Sequence, residues 1–161
     1  MGKLPKKGEV SVEVDATPEQ VWTLLTDITR AGEWSHETQG GEWLDGADGP
    51  AVGARFRGRN QNGRSKWSRQ CEVVVADGPR TISWRTVPTA LFRDSTIWTY
   101  ELEPTDSGCR ITQRFEVVMI GPIMERLFYV IVPAHRDRSA ALAEDVRRLG
   151  EHAAVAVPTS T

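Results

Sequence analysis

No stretch of this chain approaches the roughly 20 consecutive apolar residues that a bilayer-spanning helix needs, so no integral membrane segment is expected. Charge of one sign is missing too: 20 Lys and Arg stand against 22 Asp and Glu, a formal net charge of −2. That balance gives no global field toward nucleic acid or an anionic membrane. No aromatic–basic module of a nucleic-acid binder occurs either. Cysteine is scarce. Cys71 and Cys109 lie far apart, each inside an apolar strand pattern, so two buried reduced thiols are expected rather than a disulfide. A cytoplasmic location goes with them. There is no CxxC or HExxH spacing, and neither a metal nor a cofactor is expected. The N-terminal MGKLPKKGEV has charge but no apolar region behind it, unlike a secretory signal, and Lys6 stands where a myristoylation motif has Ser or Thr. Internal repeats and low-complexity segments are absent.

What the chain does have is tryptophan: six, against two Tyr and four Phe. Trp is large, flat and amphipathic, and suits a core that also leaves room for a ligand. The 161 residues suit a single domain, with an ordered core over about 8–152 and a frayed tail AVAVPTST.

The order of local signals is informative. Val10, Val12 and Val14 alternate with Ser11 and Glu13, a half-buried strand. Thr17 caps a helix that starts at Pro18, with Val21, Trp22, Leu24, Leu25 and Ile28 on its apolar face. A second short helical turn falls near Ala31–Trp34. Short alternating runs then follow one another across turn residues. In Arg55–Asn60, the three arginines take one face and Phe56, Gly58 and Asn60 the other. Asn62-Gly63 is a hairpin signal. In Lys66–Ala76, residues Trp67, Arg69, Cys71, Val73 and Val75 are in phase. Ile82 with Trp84, then Trp98, Tyr100 and Leu102, then Ile111, Gln113, Phe115 and Val117 repeat the pattern. This is an antiparallel meander, wetted on one face. Behind Gly121-Pro122, Met124, Phe128, Ile131, His135, Arg138, Leu142, Val146 and Leu149 recur at steps of three and four. They predict one helix of about 30 residues, roughly 45 Å long, which Pro133 should kink or split.

The segments ATPEQVWTLLTDITRAGEWS, GGEWL, AVGARFRGRN and TIWTYELEPTDSGCRITQRFEV, in that order, resemble the START-like (SRPBCC) superfamily, most closely its polyketide cyclase/dehydrase branch. Where small members of that branch usually read Trp-Ser-Pro-Glu in the first loop, this chain has Trp34-Ser35-His36-Glu37. The resemblance implies an α+β helix-grip fold: a seven-stranded curved antiparallel sheet wrapped around a long C-terminal helix, two short helices after the first strand, and a deep apolar cavity between sheet and helix. Members bind lipids, sterols, polyketides or hormones, and some catalyse cyclisation or dehydration.

On that fold Phe56, Trp67, Arg69, Cys71, Trp84, Trp98, Tyr100, Gln113 and Phe115 share the sheet's inner face, opposite Met124, Phe128 and Ile131. They either line a ligand cavity or simply fill a core. Arg69 either binds a ligand carboxylate or sits near its strand end and reaches water. His36 and Glu37 are two solvated loop residues or a proton-exchanging pair at the cavity mouth. His135 is a satisfied buried histidine or a further acid–base group. The stripe Arg55, Arg57, Arg59, Arg64 and Lys66 reads as a solvated outer face. The expected partner is a hydrophobic small molecule, held by a monomer or weak homodimer. A polyketide aromatase/cyclase is the rival reading, and an interaction domain a third.

Overall fold

The computed structural model describes residues 3–155 of the chain. Strand β1 (Lys7–Val14) leads into helix α1 (Pro18–Thr26) and a 3-10 turn (Ile28–Glu33). Six strands follow: β2 (Thr38–Trp43), β3 (Arg55–Asn62), β4 (Ser65–Asp77), β5 (Thr81–Thr86), β6 (Asp94–Pro104) and β7 (Cys109–Ile120). Helix α2 (Pro122–Ile131), a second 3-10 turn (Pro133–Arg136) and helix α3 (Ser139–Val155) close the chain. The sheet order is β1-β7-β6-β5-β4-β3-β2, and every pairing is antiparallel. Strands β2 to β7 pair in succession, and β1 joins at the β7 edge. The frayed-tail expectation mostly concerns residues 156–161, which lie outside the described residues; Ala154 and Val155 still belong to α3.

Local chemistry explains the elements. The Thr17 hydroxyl accepts from the Gln20 N–H while the Gln20 side chain accepts from the Thr17 N–H, a reciprocal cap that starts α1. Val21, Leu24 and Leu25 then turn inward. Gly63 takes the left-handed φ of 60° that closes the β3–β4 hairpin. The outer arginines of β3 meet carboxylates across the sheet, Arg55 on Glu72 and Arg57 on Glu42. Both cysteines are buried free thiols, and burial pushes Cys71 up to about 12 and Cys109 to about 11.

One expectation needs correction, and a second is decided between its alternatives. Val75 is not in phase with Val73: the register shifts between them, and Val75 is exposed. One extra residue in a strand turns every later side chain over. Of the two outcomes expected at Pro133 for the C-terminal helix, a kink or a split, the structure shows the split. Pro133 has no N–H to give and its ring crowds the preceding turn, so the chain divides into α2 and α3. Helix α2 buries no side chain, and Ile131 is exposed. Helix α3, 17 residues long, does the packing, with Leu142, Val146, Leu149 and Ala153 buried.

Helix α3 lies on β1 and α1. Gly150 makes that approach possible: a Cβ there would stand 2.2 Å from Val14 Cγ1 and 2.4 Å from Val14 Cβ. In an ordinary helix Gly→Ala is stabilising by about 0.5–1 kcal/mol. Here the sign reverses. Gly150→Ala is expected to destabilise the fold, and Gly150→Val to do so by more, on the order of 1–3 kcal/mol for an overpacked core. Urea unfolding of the two variants checks this; a stabilised Gly150→Ala would contradict it.

Candidate functional site

With α3 resting on β1 and α1, the concave face of β3–β7 is left facing a cavity of about 210 Å³. Its walls come from every part of the fold. The sheet supplies Phe56, Trp67, Arg69, Cys71, Trp84, Trp98, Tyr100, Gln113 and Phe115, α2 supplies Phe128, and the second 3-10 turn supplies His135. Met124 and Ile131, expected to line it too, do not border it. Both belong to α2, which buries none of its side chains, and Ile131 is exposed.

The apolar wall is a run of touching rings. Trp43 meets Phe56 at 5.5 Å between centroids, Phe56 meets Trp84 at 5.5 Å, and Trp84 stacks on Tyr100 at 5.3 Å. Trp34 meets Tyr100 edge-on at 6.1 Å. A second pair, Trp98 and Phe115, lies 5.4 Å apart. Phe128 stacks on Phe92 of the β5–β6 loop. Offset and edge-to-face contacts of this kind are favourable beyond the area they bury. The rings therefore hold one another in place without filling the space between sheet and helices.

Polar groups are distributed around this wall in pairs. Arg69 is buried rather than reaching water, and its charge has a partner within the protein. Its Nη1 donates to both Asp94 carboxylate oxygens, at 2.9 and 3.0 Å, and its Nη2 to the Asp94 carbonyl at 3.1 Å. Gln113 Nε2 donates to Tyr100 Oη at 2.6 Å. Burial pushes the Tyr100 phenol well up, so it stays neutral. Among the described residues, three buried polar atoms of the cavity lining have no protein partner: Trp34 Nε1, Arg69 Nε and Gln113 Oε1.

His36 and Glu37 are not solvated singletons, and His135 is buried with a partner. The Asp145 carboxylate, from the buried face of α3, accepts the His36 backbone N–H at 2.8 Å and pairs with His36 Nδ1 at 2.6 Å. That places a proton on Nδ1. His36 Nε2 lies 3.8 Å from Glu37, beyond hydrogen-bond range. Glu37 Oε1 instead takes His135 Nε2 at 2.8 Å. The four groups run Asp145, His36, Glu37, His135 along the cavity. The Asp145 hydrogen bond raises the His36 pKa against the opposing effect of burial. Burial alone would raise Glu37, but the His135 hydrogen bond and the charges of His135, Arg138 and His36 leave it lowered.

Four members of this site were not assigned a role from sequence: Trp34, Asp94, Arg138 and Asp145. Asp145 did leave a trace. It falls three residues after Leu142 and four before Leu149, on the stripe that should be apolar, and a carboxylate there calls for a buried partner. Asp94 left none, because its partner Arg69 is 25 residues away on another strand.

Similarity to known proteins fits this architecture. The family model described as polyketide cyclase / dehydrase and lipid transport matches residues 5–151. The polyketide-cyclase-like protein Cgl2372 from Corynebacterium glutamicum is 32% identical, with 92% of this chain and 83% of that one covered and a TM-score of 0.50. TTHA0849 from Thermus thermophilus has the same fold at 17% identity, TM-score 0.68, covering 94% and 99% of the two chains. So does the di-domain ARO/CYC StfQ of the steffimycin biosynthetic pathway, at 14% identity and TM-score 0.72, with 94% of this chain and 51% of that one covered. Among curated proteins none matches the chain.

The His36–Asp145 pair has a defined pH signature. A histidine whose native pKa is raised stabilises the fold fully below its ordinary value of about 6.5, and that contribution fades as pH climbs through the raised native value. Glu37 acts in the opposite sense, its contribution fading as pH falls through its lowered value. Asp145→Asn should bring the His36 pKa down in an NMR titration of the imidazole. The stability gap between wild type and Asp145→Asn in urea should also narrow as pH rises above about 6.5. A gap independent of pH would refute the pairing as a charged one.

From its matched segment and its fold, the chain belongs to the polyketide cyclase / dehydrase and lipid transport family.

Proposed function

We propose that the chain binds a hydrophobic or amphipathic small molecule, a lipid, polyketide or aromatic compound, in the cavity between sheet and helices. One observation carries this: an unfilled space walled by mutually supporting aromatic rings, with unpartnered polar atoms among the residues around it. A protein that gives up packing contacts loses stability, and a guest restores them. Apolar burial would supply affinity, and Tyr100 and Gln113 would orient the guest. Phe56, Trp67, Trp84, Trp98, Phe115 and Phe128 are the apolar contacts in this reading, and Met124 and Ile131 are not. Arg69 serves to hold Asp94 and the β5–β6 loop in place. The protein acts as a monomer or weak homodimer without nucleic acid, and its two buried reduced thiols support a cytoplasmic setting.

A second reading is favoured by the polar chain. His36 Nε2 makes no hydrogen bond among the described residues, and its Nδ1 is held by Asp145. That is the arrangement of a histidine positioned to take a proton from a ligand carbon or oxygen. A cyclase or dehydratase of polyketide-like carbonyl chains would use it, and StfQ, of the same fold, is described as an ARO/CYC.

Native mass spectrometry after mild purification is expected to show a retained small molecule, and a panel of apolar probes to raise the melting temperature. With neither, the binding reading falls. For the second reading, a poly-β-keto surrogate should cyclise faster with wild type than with His36→Gln, by roughly 10²–10⁴-fold for a general base. Equal rates would dismiss His36 as that base.

A further inference from the structure

Two arginines border the cavity, and their situations differ. The charge of Arg69 is met by the Asp94 side chain and backbone. Arg138 sits between the second 3-10 turn and α3, half-buried. Its guanidinium lies over the rings of Trp98 and Phe115, at 5.6 and 5.7 Å from their centroids. Among the described residues it forms no ion pair and donates no side-chain hydrogen bond. The two carboxylates that bear on it electrostatically are Glu37 and Asp94. Both have other partners: Glu37 holds His135 at 2.8 Å, and Asp94 holds Arg69.

A guanidinium stays charged under any protein condition, and one taken partly out of water needs a partner. Stacking on two aromatic faces supplies some of that need and leaves the N–H edge of the fork open. The planar fork matches a carboxylate through two parallel hydrogen bonds. Beside it, the cavity offers ring-walled space of about 210 Å³, below the ~300–1,000 Å³ of drug-sized sites. The guest body is therefore short: one or two fused rings, or a medium chain. A monoanion suits the site better than a phosphate dianion, because Glu37, Asp94 and Asp145 already place three carboxylates around the space.

We propose that Arg138 is the receptor for an anionic headgroup, and that the natural guest is an amphipathic carboxylate with a compact apolar or aromatic body. This rests on the binding reading above and names the ligand class for it. It also moves the carboxylate-binding role, which the sequence pattern offered to Arg69, to a residue whose charge the protein leaves unmet.

The test uses naphthalene-2-carboxylate and its neutral isostere naphthalene-2-carboxamide, titrated calorimetrically at pH 7 into wild type, Arg138→Met and Arg138→Lys. Wild type should bind the carboxylate at least about tenfold more tightly than the amide, as expected for a charge-assisted hydrogen-bonded pair. Arg138→Met should erase that preference while still binding the amide. Arg138→Lys should retain part of it, having the charge without the fork. Wild type binding both compounds equally, or Arg138→Met keeping the preference, overturns the headgroup assignment and leaves the binding reading standing. Tighter binding of 2-naphthyl phosphate than of the carboxylate overturns the ligand class. If neither compound binds wild type while naphthalene does, the assignment to Arg138 falls alone. If naphthalene fails as well, the binding reading falls with it. The wild-type comparison needs no variant, so poor folding of Arg138→Met leaves the test intact.

Discussion

The contact between α3 and β1 governs the rest of the molecule. Gly150 lets the helix backbone come down onto Val14, and Leu142, Val146, Leu149 and Ala153 seal the helix into the core. A helix seated at that edge, against β1 and α1, cannot also cover the concave face of β3–β6. The remaining layer has to be supplied by something else. Helix α2 does not supply it, because it buries no side chain of its own. The open space is thus a consequence of where α3 is anchored.

The same anchoring sets the electrostatics. Helix α3 carries Asp145 inward, where it holds His36 by backbone and ring together. The turn before α3 carries His135 to Glu37. Two loop residues on one side of the cavity are thereby tied to the C-terminal segment on the other. Each carboxylate in the cavity wall has a partner within hydrogen-bond range, and each histidine there has a carboxylate. Arg138 is the exception. An apolar guest with a single negative charge is the complement of a cavity in that condition.

Much of the fold was legible from local pattern. The alternation in β3, β6 and β7 named the inward residues, because a strand has period two and one face is wet. The Thr17-Pro18 start of α1 and the Gly63 hairpin were legible because capping and left-handed φ depend on one or two residues. Two kinds of failure occurred. Val75 lost its phase to an extra residue at the bulge, which turns over the side chains beyond it. Met124 and Ile131 belong to α2, which buries none of its side chains and reaches the cavity through Phe128. The proline did announce the break between α2 and α3.

The sequence by itself determined the meander order of the strands, the inner-face aromatics and the candidate polar residues His36, Glu37, Arg69 and His135, each taken singly. Each of these depends on neighbours a few residues apart, or on the order of such pieces. Tertiary structure alone decided which charges cancel. Arg69 meets Asp94 across 25 residues, His36 meets Asp145 across 109, and Glu37 meets His135 across 98. An ion pair forms where the folded backbone brings two side chains within a few ångströms, and nothing in either residue's local sequence encodes that distance. That is why the guanidinium marked out by strand alternation proved to be engaged, while the one still open among the described residues lies in the break between α2 and α3.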